Sequence, residues 1–144
     1  MKTVTPTGYV AQYLEEGSSA RNSGASLAAA IEQGLPIHGL KKLTSFLGIS
    51  PEKAALLLGI STATLNRRIK AGRLAPPESD RLIRFARLAG MAAQVMGSPE
   101  AGKNWLRTPQ HGLGGKIPME FARTEIGARE VENLLGRIEY GVYS

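Results

Sequence analysis

An all-α fold is predicted by three features of this chain. Apolar residues return every three or four positions in one segment after another. Ser-Pro pairs and glycines stand where such segments would start and stop. No run alternates apolar and polar residues long enough to argue a strand. The order of these signals predicts a helix-turn-helix module followed by a second, small helical module.

Tyr9, Val10, Tyr13 and Leu14 predict a short first helix, followed by a polar loop over 17–24. Leu27 to Gln33 predicts the next, closed by Gly34 and Pro36. Leu40, Leu43 and Leu47 mark a third, stopped at Gly48. Ser50 can then N-cap a helix with Pro51 at its first position, where a missing N–H costs nothing. Ala54, Ala55, Leu57 and Leu58 give that helix an apolar side. Gly59 supplies the positive φ of a tight turn, Ile60 plugs the corner, and Ser61 or Thr62 caps a further helix. There Leu65 and Ile69, four apart, are expected to face inward. Small Ala55, four residues before Gly59, lets the two helices approach closely. This is helix-turn-helix spacing with one departure: three residues after Leu65 the motif has an apolar residue, and this chain has Arg68. The second helix of the motif is therefore open to a rotated or different packing.

Pro77 opens a long helix in which Leu82, Phe85, Ala86, Ala89, Ala93 and Met96 keep a helical period to Gly97. Ser98-Pro99 caps another, ending at Trp105-Leu106 before Thr108-Pro109, with Trp105 expected as a core anchor. Residues 110–116 form a Gly-rich loop and Pro118 starts a brief turn. Ala128, Val131, Leu134, Leu135 and Ile138 line one face of the last helix. Three parts are expected: a helical or partly disordered segment over 1–38, the helix-turn-helix domain over 39–88, and the second domain over 89–144.

With 144 residues, 42% hydrophobic and 21% charged, the chain can bury a real core. No run approaches the roughly 18 apolar residues of a membrane span, and no signal-peptide core follows the first residues. A cytoplasmic protein is the expectation. The absence of cysteine excludes disulfides, thiolate zinc sites and cysteine nucleophiles.

The net charge of +6 is unevenly placed. Residues 1–40 carry −1, residues 41–88 carry +7, and residues 89–144 are neutral. An excess confined to the segment with the helix-turn-helix spacing is what a module that meets a polyanion requires. With Leu65 turned inward, the opposite side of its helix carries Thr62, Ala63, Asn66, Arg67 and Lys70. Asn and Arg are the residue types that read adenine and guanine edges in the major groove. Lys70, Arg73 and Lys41 or Lys42 suit phosphate contacts.

Catalytic constellations are missing from the sequence, which predicts neither an enzyme nor a cofactor. His38 and His111 have no second His at helical spacing, so no metal site is expected. Gly112-Leu113-Gly114-Gly115-Lys116 fails the phosphate-loop pattern, because Gln110 stands five before Gly115 and Ile117 follows Lys116. Its glycines suit a tight connection between helices.

Leu65-Asn66-Arg67-Arg68-Ile69-Lys70, Glu78-Ser79-Asp80-Arg81-Leu82, Trp105-Leu106, Gly114-Gly115-Lys116-Ile117-Pro118, Gly127-Ala128-Arg129-Glu130-Val131 and Arg137-Ile138-Glu139-Tyr140-Gly141 resemble the Xre antitoxins of RES–Xre toxin–antitoxin pairs. That family shares its C-terminal module with the MbcA and ParS-like toxin-binding proteins. The resemblance spans about residues 41–144. It implies a non-enzymatic antitoxin whose C-terminal, toxin-binding domain covers the active site of a RES-domain toxin that degrades NAD. It also implies that the basic helix-turn-helix represses the shared operon. A homodimer on two-fold operator DNA is expected in turn, because helix-turn-helix proteins usually pair half-sites about one helical turn apart.

The end of the chain fits that implication. Apolar Tyr140, Val142 and Tyr143 cluster around Gly141 beside the terminal carboxylate of Ser144, as if held by a partner. Arg129, Glu132 and Arg137 on the last helix would steer the approach. Gly141 lets the chain leave the helix, Val142 and Tyr143 can fill an apolar pocket, and the Ser144 carboxylate can pair with a basic group. In the alternative, Tyr140 and Val142 fold back on the protein's own core. A rival reading of the whole chain is a homodimeric repressor whose C-terminal domain only dimerises.

Overall fold

The computed structural model describes residues 24–141, so the expected Tyr9–Leu14 helix and Val142, Tyr143 and Ser144 lie outside the described residues. Within them the chain is all-helical. The order is α1 (Gly24–Gln33), α2 (Ile37–Leu47), α3 (Pro51–Leu58), α4 (Thr62–Ala71), α5 (Pro76–Met96), α6 (Pro99–Leu106), α7 (Pro118–Phe121) and α8 (Glu125–Glu139). A single 3₁₀ turn, His111–Leu113, stands between α6 and α7. Pairing of strand type among the described residues is limited to two isolated bridges, Pro36 with Arg73 and Gln110 with Lys116. No described helix is long and apolar enough to cross a membrane.

The helix limits follow from local capping. Ser50 Oγ accepts from Lys53 N, Ser61 Oγ from Thr64 N, Ser98 Oγ from Ala101 N and Thr124 Oγ1 from Gly127 N, each satisfying an amide that the helix leaves open. Pro51 and Pro99 occupy first-turn positions. Gly59 ends α3 with φ +73°, and the Arg81 guanidinium fills the space where a Cβ would stand, 2.8 Å from it.

The described residues form two compact units, 24–83 and 84–141. In the first, Leu35, Leu40, Leu43, Leu47, Leu57, Leu58 and Leu65 are all at most 5% exposed, each burial contributing about 1.5–3 kcal/mol. Two connecting loops are clasped together: Leu74 N donates to Leu35 O at 2.8 Å and Ile37 N to Gly72 O at 3.0 Å. Buried Ser79 completes the clasp, accepting from Leu35 N and donating to Ala75 O.

In the second unit, α5 presents Ala86, Ala89, Ala92 and Ala93, all buried. A face without bulk allows α6 to approach backbone to backbone, and a Cβ on Gly102 would lie 2.5 Å from Ala93 N. Gly102 and Leu106, four apart, thus define the inward side of α6. Trp105 falls on its edge and is only half buried, so Leu106, 2% exposed, is the anchor expected of Trp105. On α8, Ala128, Val131, Leu134 and Leu135 are buried as expected, and Ile138 is half buried.

Ile69 is the clearest departure from the sequence expectation. It is 38% exposed, and the inward positions of α4 are Leu65 and Arg68, three apart rather than four. The reason is electrostatic. Arg68 Nε donates to Glu78 Oε1 at 2.8 Å and Nη2 to Oε2 at 3.3 Å, and Glu78 is 5% exposed. A buried carboxylate needs such partners, so it draws the guanidinium in and turns Ile69 outward.

Candidate functional site

The α4 helix gathers the expected DNA-reading residues on one exposed face. Thr62, Ala63, Asn66, Arg67 and Lys70 are all exposed, with Leu65 beneath them 2% exposed. The Arg67 guanidinium rests on the cap, Nη2 donating to Thr64 Oγ1 at 3.0 Å, and Thr64 Oγ1 also accepts from Ser61 Oγ. Arg67 is thus held beside the first turn of α4, the part of a recognition helix that approaches base edges.

Arg73 sits differently from the other five. Its side chain is exposed, but Nη1 donates to Gly34 O across the loop clasp, so it also ties α1 to the end of α4. Lys41 is exposed on α2. Two further cations of the +7 segment are structural: Arg68 pairs with Glu78, and Arg81 Nη1 donates to Leu58 O at 2.7 Å. The second of these places a cation at the C-terminus of α3, where the helix dipole favours it.

Sequence reasoning missed this lock. The first turns of α5 hold α4 through Glu78 and α3 through Arg81, so one short segment fixes both helices of the motif. Arg68 in place of an apolar residue was the signal, and the acidic Glu78 ten positions on was its partner. Burial alone pushes the Glu78 carboxyl up. The Arg68 hydrogen bond, the Ala75 N–H and the charges of Arg68 and Arg81 together outweigh it and hold the carboxyl below its ordinary range. Glu78 in turn raises Arg68.

The second candidate surface is α8. Arg129 is exposed and pairs with Glu125 at 3.2 Å, Arg137 is exposed, and Glu132 is half buried at the edge of their face. Tyr140, at the C-cap, is 79% exposed and does not pack on the protein's own core. Gly141 follows with φ +71°, a left-handed residue that turns the chain out of the helix axis.

The glycine loop between α6 and α7 is a closed connection. Gln110 N donates to Lys116 O and Gly115 N to Gln110 O, while Gly114 N and Lys116 N donate to His111 O and Leu113 O. Amides turned to the loop's own carbonyls form no cradle for a phosphate. Among the described residues no three His, Asp or Glu side chains gather as metal ligands.

Residues 26–87 match the model of the antitoxin Xre-like helix-turn-helix domain. Residues 91–141 match that of the antitoxin Xre/MbcA/ParS C-terminal toxin-binding domain. The chain is 35% identical over 124 residues to an Antitoxin Xre of Yersinia enterocolitica, covering 84% of this chain and 83% of that protein. It is 32% identical over 125 residues to an Antitoxin Xre of Photorhabdus laumondii, covering 85% and 84%. A Sphingobium protein named Prs ADP-ribosylating antitoxin is 26% identical over 153 residues, covering 99% of this chain and 92% of that one.

Proposed function

The chain belongs to the Xre antitoxins, and from that premise we propose that it silences a RES-domain toxin by covering the site where the toxin degrades NAD. It does so as a binding protein, without catalysis or cofactor. Its toxin-binding domain meets the toxin, and its helix-turn-helix, as a homodimer on a two-fold operator, represses the shared operon. The division of labour falls near residue 88.

One observation carries the neutralisation half: α8 ends in an exposed Tyr140 followed by a left-handed Gly141. An aromatic side chain held in water at a helix end is a ready anchor for a partner pocket. Tyr140 and the residues after it reach the toxin's NAD site, with Arg129, Glu132 and Arg137 guiding the approach. For the repressor half, support comes from the exposed row of Thr62, Ala63, Asn66, Arg67 and Lys70 on a helix fixed from behind.

The Sphingobium relative favours a second version of the toxin's chemistry, transfer of ADP-ribose to a protein in place of NAD hydrolysis. Either version breaks NAD, so both are tested by one assay. The product of the neighbouring gene is purified alone and with this chain, and NAD loss is followed together with labelling of added protein. Inhibition of NAD loss on mixing is the expected result. A neighbouring protein that consumes no NAD, or whose activity is untouched at saturating antitoxin, defeats the proposal.

A further inference from the structure

Ile126 and Tyr140 are the two most exposed large apolar residues among those described, 78% and 79%, and they lie on one line. Fourteen residues apart, with exposed Asn133 midway, they mark a stripe about 20 Å long on the outer side of α8. Single exposed apolar residues are ordinary. What sets this stripe apart is Gly136 beside it.

Glycine in a helix interior destabilises the helix relative to alanine. Gly102 and Gly127 have internal reasons to be glycine, since a Cβ on either would strike backbone. Gly136 has none: its φ is not positive, and a Cβ there would meet nothing within 4 Å. Its missing side chain instead opens one wall of a groove of about 110 Å³ between α5 and α8, bounded by Met91, Val95 and Leu135 with Gln94 and Glu139 at its rim. Met adapts readily to an inserted group.

We propose that this stripe and groove are the toxin-docking surface of the C-terminal domain, with Ile126 and Tyr140 as end anchors and Gly136 admitting an apolar toxin side chain between Met91 and Val95. The occupant is taken to be the toxin because every one of these residues lies within 91–141, the toxin-binding domain. The inference rests on the antitoxin reading and adds to it a docking face along α8 and α5 that joins the occluding segment at Tyr140.

Two substitutions test it without threatening the fold. Gly136→Ala fills open space in a helix, so the melting temperature should rise by about 2–5 °C. Ile126→Asp places a carboxylate in the first turn of α8, where the dipole favours it. Binding to the toxin from the neighbouring gene is measured by titration, alongside the mass of the free antitoxin. Ile126→Asp should weaken toxin binding about tenfold or more, and Gly136→Ala should weaken it measurably despite the higher melting temperature. Wild-type affinity in both variants overturns the docking surface while leaving the antitoxin reading intact. A lower mass of the free Ile126→Asp protein with unchanged toxin affinity also overturns it, making the stripe a contact between copies. If the unmodified protein binds no toxin at all, both ideas fall.

Discussion

Arg67 and Arg68 are adjacent in sequence and differ in fate because one helical step turns a side chain by about 100°. Arg67 stays outside on the Ser61–Thr64 cap, and Arg68 turns in to Glu78. On the DNA reading, Arg67→Ala is expected to cost about 1–3 kcal/mol at the specific site. Equal losses on operator and random DNA would make Arg67 a phosphate contact instead. The Arg68–Glu78 pair should show itself in stability. A carboxyl whose folded pKa is depressed stabilises the native state above its unfolded pKa, and the gain disappears as pH falls through the folded value. Glu78→Gln should therefore be less stable than the parent by about 1–3 kcal/mol at neutral pH. The difference should shrink as pH drops below the usual carboxylate range. Thermal melts from neutral to acid pH check this, and a difference that ignores pH would deny the pair its role.

Elements here are positioned by contacts with neighbouring elements. Helix α4 is fixed by the first turns of α5, through Glu78 to α4 itself and through Arg81 to the end of α3. Helix α8 is seated by Gly127, where a Cβ would strike Phe121 O at the end of α7. Gly127→Ala must push those backbones apart and is expected to cost about 1–3 kcal/mol, read as a lower denaturant midpoint. An unchanged midpoint would mean that α7 yields freely. Beyond α8, deletion of residues 141–144 separates occlusion from docking. Lost neutralisation with melting temperature and DNA binding intact supports direct coverage of the toxin site. A truncated protein that still halts NAD consumption would transfer the whole inhibition to α8.

For the whole molecule, the net positive charge and the two most exposed large apolar side chains belong to different stretches of the chain. The +7 segment lies in residues 41–88, and the most exposed large apolar residues described belong to α8, in the neutral stretch 89–144. Two surfaces of different chemistry suit two different partners. Substituting Arg67 and Lys70 together by alanine should abolish operator binding and leave toxin neutralisation within about twofold of the parent, since sites without shared partners act additively. Loss of neutralisation in a folded double variant would show that the two functions are not separable.

Much of the fold was legible because helix limits are local. Ser50, Ser61 and Ser98 each cap an amide three residues on, Gly48 and Gly59 end helices in the left-handed conformation, and apolar periodicity marked the faces of α2, α3, α5 and α8. The exposed row on α4 followed from the same periodicity once Leu65 was placed inside. Tertiary contacts decided the rest. Ile69 or Arg68 could complete the inner side of α4 by spacing alone, and a buried carboxylate ten residues away chose the arginine. Arg73 reads as one more surface cation until Gly34, 39 positions earlier, accepts from it. Trp105 yields the core to Leu106 because Gly102 sets which side of α6 meets α5. Capping and periodicity act over one or two helical turns and are written in neighbouring residues. Ion pairs between helices and backbone-to-backbone crossings depend on which distant segments meet, and only the folded chain brings them together.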